Sequence, residues 1–267
     1  MDADFLNTEF GLIGVMEEGS ENDQTPIVFL HGVGSDKSVW KPQLKHFGRT
    51  RRAVAFDYPG YGDSDAWDEA TRDDFADWII CGMDDLGISR AHVCGLSLGG
   101  VVAIALHAAA PARCASLILA DSFAVHPEGR TFYDRAEHAS RTIGMRALAE
   151  ARAGALLGSA AGPAIHKAVI DTMGALDPLA YVVGARAVWL ADQRERAASI
   201  RVPTLVLVGD EDIITPRALS KELATLIPKA TLQMIAASGH LSNLEQPEAF
   251  NAAIDAFLSR VEAARTA

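Results

Sequence analysis

The stretch Val93-Cys94-Gly95-Leu96-Ser97-Leu98-Gly99-Gly100 constrains this chain more than any other. Before it, Ala91 to Cys94 read as the end of a buried strand. After it, Val101 to Ala110 are apolar at nearly every position, the pattern of a helix packed on all sides. A strand that turns into a helix within about one residue forces the central residue into a strained backbone conformation, and it needs small flanking residues so that the two elements can approach. Gly95, Gly99 and Gly100 meet that need. They leave Ser97 at the tip of the turn, at the amino end of a helix, where backbone N–H groups favour negative charge. Gly-x-Ser-x-Gly alone is a weak signal; the strand before it and the helix after it are what nucleophilic chemistry requires.

The same rhythm recurs along the chain. Ile27 to Leu30, Ala53 to Phe56 and Ser116 to Asp121 are short apolar runs that read as buried strands, and Thr71 to Leu86 carry apolar residues at spacings of three and four, as an amphipathic helix does. Strands alternating with helices predict an α/β fold built on a mostly parallel, doubly wound sheet. Phe10 to Glu17 alternate loosely and meet the turn cluster Gly19 to Asp23, which predicts an amino-terminal hairpin there. From Phe123 to about Arg196 the rhythm breaks into an Ala-rich, helical segment with no strand pattern. We therefore expect a core of residues 1–122 and 197–267 and a helical cap of residues 123–196. Thr204 to Gly209 and Thr231 to Ile235 resume the strands, Arg217 to Ile227 read as a helix, and Pro247 to Val261 close the chain as a helix.

Composition excludes several function classes. With 267 residues, 49% of them hydrophobic, the chain is large enough for one substantial α/β domain. A net charge of −11, spread along the chain, argues against nucleic acid and against an anionic membrane surface. No apolar run approaches the ~20 residues of a membrane span, and Met1-Asp2-Ala3-Asp4 lacks a basic segment followed by an apolar one, so a cytoplasmic protein is expected. Cys81, Cys94 and Cys114 show no metal-ligand spacing and read as buried reduced thiols; no metal and no cofactor are expected. The glycine-rich loop His31-Gly32-Val33-Gly34-Ser35 is not a nucleotide cradle. A dinucleotide fingerprint needs glycine where Lys37 stands, and a P-loop needs glycine where Asp36 stands.

A serine hydroxyl needs a base, and the base needs an acid to hold its tautomer. In an open parallel sheet such groups gather at the carboxyl ends of the strands. Of eight histidines, His240 follows the last strand directly and is the candidate base, whereas His31 ends the first buried strand and reads as a brace for the Val33 loop, and His92 reads as a surface residue. For the acid, Asp212 lies on the crest of the loop after Thr204 to Gly209. Asp210 abuts the strand end and reads as a loop-closing residue, and Asp121 remains a contender at the end of its own strand. The backbone N–H groups of Leu98 and Val33 are candidate oxyanion donors.

The order Ser97, Asp212, His240 resembles that of the α/β-hydrolases, and nearly the whole chain follows their pattern. His31-Gly32, Asp57-x-Pro59-Gly60-x-Gly62-x-Ser64, Gly209-x-x-Asp212-x-x-x-Pro216 and Gly239-His240 all match at the family's spacing. Within the family, Cys94 to Gly100 and Ser238 to Pro247 are similar to 3-oxoadipate enol-lactonases, cofactor-free esterases that open a lactone ring. The resemblance implies hydrolysis of a carboxylic ester or lactone through an acyl-enzyme on Ser97, with a small-molecule partner and a monomer or homodimer. Cleavage of a carbon–carbon bond in a vinylogous diketone and a ligand receptor on the same fold are the alternatives. Dehalogenases and epoxide hydrolases resemble the fold but place Asp where Ser97 stands. Trp40, Phe123, His126, Met145 and Trp189 are candidate pocket walls, and Arg130 or Arg135 would supply the cation that an acidic lactone needs.

Overall fold

The chain opens with an antiparallel hairpin, β1 (Phe5–Thr8) and β2 (Gly11–Glu18), followed by β3 (Ile27–Leu30), α1 (Lys41–Phe47) and β4 (Ala53–Phe56). Then come α2 (Arg72–Asp85), β5 (Ala91–Leu96), α3 (Leu98–Ala109) and β6 (Cys114–Ala120). Five helices separate β6 from the next strand: α4 (Gly129–Thr142), α5 (Gly144–Leu156), α6 (Pro163–Gly174), α7 (Pro178–Trp189) and α8 (Arg194–Ser199). The chain ends with β7 (Thr204–Gly209), α9 (Arg217–Leu226), β8 (Ala230–Ile235), α10 (Ser242–Glu245) and α11 (Pro247–Thr266). This computed structural model describes residues 5–266; Met1 to Asp4, on which the absence of a leader is read, lie outside the described residues. No single helix among the described residues is long and apolar enough to cross a membrane.

The strands form one eight-stranded sheet in the order β1-β2-β4-β3-β5-β6-β7-β8, with β1 and β2 antiparallel and the rest parallel. Every residue of β3, β4, β5, β6 and β7 is buried, which is why these strands read as unbroken apolar runs: helices cover both faces of the sheet. α2 starts on a capping box in which the Thr71 side chain accepts from the Asp74 N–H and Asp74 accepts from the Thr71 N–H. α3 is apolar all round because its first ten residues are all buried.

The hairpin differs from the expectation. Its turn falls at Glu9 and Phe10, where the Thr8 hydroxyl ties the turn together through the Gly11 carbonyl, and Gly19 to Asp23 carry the chain from β2 across to β3. The alternation of β2 comes from pairing with β1 on one side and β4 on the other. His92 differs as well. It is fully buried in β5, with Nδ1 2.7 Å from Ser116 Oγ and Nε2 3.4 Å from Glu262, because β5 lies in the middle of a sheet covered on both faces. Cys94 and Cys114 are buried and Cys81 is half-buried, all three unpaired.

The turn at Ser97 depends on backbones in contact. A Cβ on Gly95 would lie 2.1 Å from the Gly99 carbonyl oxygen, and one on Gly99 would lie 2.1 Å from the carbonyl oxygen of Leu30 in β3. These neighbours are backbone and cannot step aside. Gly99→Ala is therefore expected to cost about 2–3 kcal/mol of stability and to lower Tm by about 5–10 °C. Gly154→Ala, in α5 with no heavy atom within 4 Å of the new methyl, is expected to leave Tm unchanged or raise it slightly, and calorimetric melts of the two variants check the contrast.

Candidate active site

The loops after β3, β5, β7 and β8 all open at the carboxyl edge of the sheet, and helices α5, α6 and α7 face them across a cavity of about 110 Å³. Gly32 to Ser35, Ser38, Ser97, His240 and Leu241 line it from the sheet side; Arg152, Leu156, Val169, Met173, Tyr181 and Trp189 line it from the inserted helices. Ser97 sits between β5 and α3 with φ 56° and ψ −113°, a strained combination for a residue with a side chain. Its N–H donates to Ala120 O at 2.9 Å, and its carbonyl accepts from the Ser122 hydroxyl at 2.8 Å. These bonds fix the backbone while the Ser97 hydroxyl, buried, makes no hydrogen bond among the described residues.

His240 Nδ1 lies 2.9 Å from Asp212 Oδ2, both side chains being buried. With Nδ1 committed, Nε2 is the ring nitrogen left for other chemistry. Asp212 is itself held: its Oδ1 accepts from the N–H groups of Ile214 at 2.8 Å and Thr215 at 3.0 Å, and its Oδ2 accepts from the Thr215 hydroxyl at 2.6 Å. Burial works against ionising Asp212, but His240 and the Thr215 hydrogen bonds outweigh it and hold the carboxyl down at about 2. Burial likewise opposes the charged form of His240, yet the Asp212 charge and hydrogen bond prevail and raise its pKa above the ordinary 6.5.

The other two acids that the sequence offers take different places. Asp210 is exposed, with Oδ1 3.4 Å from the Ser238 N–H at the edge of the His240 loop. Asp121, fully buried and at φ 47°, accepts from Gly209 N–H at 2.8 Å and bonds the Ser242 hydroxyl. Burial and the nearby Asp212 charge push the Asp121 pKa up, whereas that of Asp212 is held down. Two carboxylates in one dry region do not both ionise.

The Val33 loop is pinned from below. Lys37, buried, places Nζ 2.6 Å from Asp57 Oδ2 and contacts Asp63 as well, while its own N–H donates to Asp57 Oδ1 at 2.7 Å. The Tyr61 hydroxyl donates to Val33 O at 3.2 Å, and His31 Nδ1 bonds Gly32 O at 2.8 Å. The backbone N–H groups of Val33 and Leu98 have no acceptor among the described residues. On the far side, the α5–α6 connection is tied to the loops carrying Asp212 and His240. His240 N–H donates to Leu156 O at 2.8 Å, Glu245 accepts from both Gly158 and Gly239 N–H groups, and Glu211 accepts from Ser159.

Of the pocket walls that the sequence offers, Trp189 lines the cavity; the others lie elsewhere. Trp40 is fully buried against Phe29, and Phe123 stacks behind Trp189 at 5.8 Å. His126 bonds Ile214 O at 3.2 Å, which ties the segment after β6 to the Asp212 loop, and Met145 is buried in the hydrophobic core at the start of α5. Arg130 is exposed and paired with Asp134 at 2.9 Å, and Arg135 is exposed too. The cation in the cavity is Arg152, which is not among the candidates taken from the sequence. Its signal is there to be read: Leu148, Arg152 and Leu156 stand four apart on α5, and both leucines are buried. Lys37, Thr215 and Tyr181 are also functional neighbours that no motif marks. Among the described residues no group of three or more His, Cys, Asp or Glu side chains is placed to hold a metal ion.

A mostly parallel sheet with a strained serine after its central strand, an acid and a histidine on later loops, and helices inserted over the edge define a hydrolase-type α/β protein. The chain belongs to the alpha/beta hydrolase family, whose profile matches residues 27–253. It is 29% identical to 3-oxoadipate enol-lactonase 1 of Acinetobacter baylyi over 96% of both chains. It is 28% identical to carboxylesterase YbfK of Bacillus subtilis, over 96% of this chain and 88% of that one. Among solved structures it is similar to the enol-lactonase from Burkholderia xenovorans LB400, with a TM-score of 0.89 and 28% identity over 96% of this chain and 99% of that one.

The Lys37–Asp57 pair yields a stability prediction. Removing one partner of a buried pair strands the other charge, which typically costs about 3–5 kcal/mol. Lys37→Met is expected to shift the urea midpoint accordingly, whereas His46→Ala, which removes the exposed contact with Asp255, is expected to change stability by less than about 1 kcal/mol.

Proposed function

We propose that this α/β hydrolase is a carboxylic ester hydrolase acting on esters or lactones, and that it works through an acyl-enzyme on Ser97. One observation carries the reading: Ser97, held on a strained turn with an unpartnered hydroxyl, faces the same small cavity as a histidine whose far nitrogen is engaged by a buried, ionised aspartate. The relatives named above as enol-lactonase and carboxylesterase support the ester or lactone class.

In this reading His240 Nε2 takes the Ser97 proton as Oγ attacks the substrate carbonyl. Nucleophile–base hydrogen bonds are often long before substrate binds and tighten on the way to the transition state. The oxyanion that forms accepts from the Val33 and Leu98 N–H groups, whose fixed backbones need no reorganisation as the charge develops. Collapse of the tetrahedral intermediate breaks the carbon–oxygen bond, and His240 returns its proton to the leaving alcohol or enol. Water, giving a proton to His240, then attacks the acyl carbonyl, and Ser97 leaves with that proton. Asp212 keeps one tautomer of the ring and stabilises its charged form throughout. Residues 123–196 act as a cap on a core of residues 1–122 and 197–267, and the cavity size supports a small-molecule substrate. Three unpaired cysteines support a reducing, cytoplasmic setting.

Ser97→Ala is expected to lower kcat/KM for p-nitrophenyl esters by several orders of magnitude with an unchanged melting profile, and a serine-directed fluorophosphonate is expected to add to Ser97 alone in mass spectra. Retention of most ester hydrolysis in that variant would refute the assignment. The pH profile tests the acid. The reaction needs neutral His240, so kcat/KM rises with pH through a His240 pKa that Asp212 holds above 6.5. Asp212→Asn removes that support, so the acid limb is expected to move to lower pH while the plateau drops by about 10³–10⁴. An acid limb that stays in place or moves up in this variant would assign the role to another group.

A further inference from the structure

We propose that Glu245 is a positioning residue for His240: one carboxylate holds the main chain on both sides of the imidazole and anchors it to the end of α5. The inference rests on the reading of His240 as the base for Ser97, and it names the group that keeps that base within reach of the serine.

The N–H groups of three buried residues converge on this side chain. Glu245 Oε1 accepts from Gly239 at 3.0 Å and from Leu241 at 3.3 Å, the residues immediately before and after His240. Oε2 accepts from Gly158 at 2.7 Å, two residues past the end of α5. The N–H of His240 itself points elsewhere and donates to the Leu156 carbonyl at 2.8 Å. Three successive N–H groups of the histidine loop are therefore held, two by one carboxylate oxygen and one by the last residue of α5. The loops meet backbone to backbone, since a Cβ on Gly239 would lie 2.6 Å from Gly158 N.

Helix capping does not account for this arrangement. Glu245 closes the single turn α10, and its bond to the Leu241 N–H is a local one within that turn. The bond to Gly158 is not local: it spans 87 residues of sequence and joins the histidine loop to the inserted helices. Asp212 fixes Nδ1 of His240, yet an imidazole tethered at one nitrogen still swings about that bond and carries Nε2 toward or away from Ser97. Holding the main chain at 239, 240 and 241 removes that freedom. A displacement of about 1 Å at a catalytic group costs up to about 10²-fold in rate, and supporting hydrogen bonds are what prevent it. The cavity walls that receive the substrate are left as they are, so the loss falls on kcat rather than on KM.

The test measures kcat and KM for p-nitrophenyl butyrate in Glu245→Gln and Glu245→Ala, with Glu248→Gln, an exposed acid at the start of α11, as the control. Active sites are counted by complete reaction with a fluorophosphonate, so unfolded protein does not enter kcat. Gln keeps the shape but replaces one acceptor with a donor, and kcat per site is expected to fall about 10-fold. Ala leaves all three N–H groups without their acceptor, and a fall of about 100-fold is expected, with KM within about threefold in both variants and the control matching the wild type. If Glu245→Ala does not fold, Glu245→Gln decides alone. A kcat per site within about twofold of the wild type would overturn the proposal, and so would a loss of equal size in Glu248→Gln. If the wild-type chain hydrolyses no ester, the Ser97 reading fails and amide hydrogen exchange decides the role of Glu245. Faster exchange at Gly158, Gly239 and Leu241 together in Glu245→Gln would uphold the two-sided anchor, and unchanged exchange at all three would overturn it.

Discussion

The close approach of α3 to the sheet is the contact on which the site depends. Where Gly95, Gly99 and the Leu30 carbonyl meet, no side chain intervenes, and the helix begins one residue after the strand ends. That proximity forces Ser97 to φ 56° and leaves the Leu98 N–H at a helix start, without an acceptor among the described residues. Strain and unsatisfied donor are thus two consequences of one packing decision. The surrounding sheet holds both in place, since β3, β5 and β6 are buried along their whole length and cannot relax toward solvent.

Electrostatics then sorts residues that look alike. Asp121 and Asp212 both lie near His240, and both are buried. Asp212 receives two backbone N–H groups and a hydroxyl besides the imidazole, so its charge is stabilised; Asp121 receives a single N–H and the Ser242 hydroxyl, too little to offset burial beside a second acid. Asp121 joins the loop after β6 to the Gly209 N–H and the Ser242 hydroxyl. Lys37 and Asp57 do similar work beneath the Val33 loop, where a buried pair fixes a segment that glycines alone would leave loose.

The sequence reveals elements that rest on local pattern. The buried strands, the Ser97 turn and the loop positions of Asp212 and His240 all carry spacing that a linear reading recognises. It failed where a property belongs to the assembled sheet. His92 alternates like a surface residue and is buried because β5 is central. The hairpin turn was misplaced because Gly19 to Asp23 have turn composition, whereas Glu9 and Phe10 do not. α1 and the 3-10 turn Lys37–Trp40 were missed because they are short and follow a loop rich in glycine. Among the inserted helices, Arg130 and Arg152 are chemically identical, and only three-dimensional placement shows one paired at the surface and the other lining the cavity.

That last difference bears on how the two parts of the molecule are coupled. The inserted helices supply most of the apolar wall of the cavity, yet the Leu156 carbonyl also accepts the His240 N–H, and Glu245 bridges the N–H groups of Gly158 and Gly239. A Cβ on Gly158 would lie 2.8 Å from Gly239 N, so the end of α5 rests directly on the histidine loop. Arg152 sits one turn before that contact, on the same helix. α5 therefore both lines the cavity and, through the Leu156 carbonyl, holds the His240 loop.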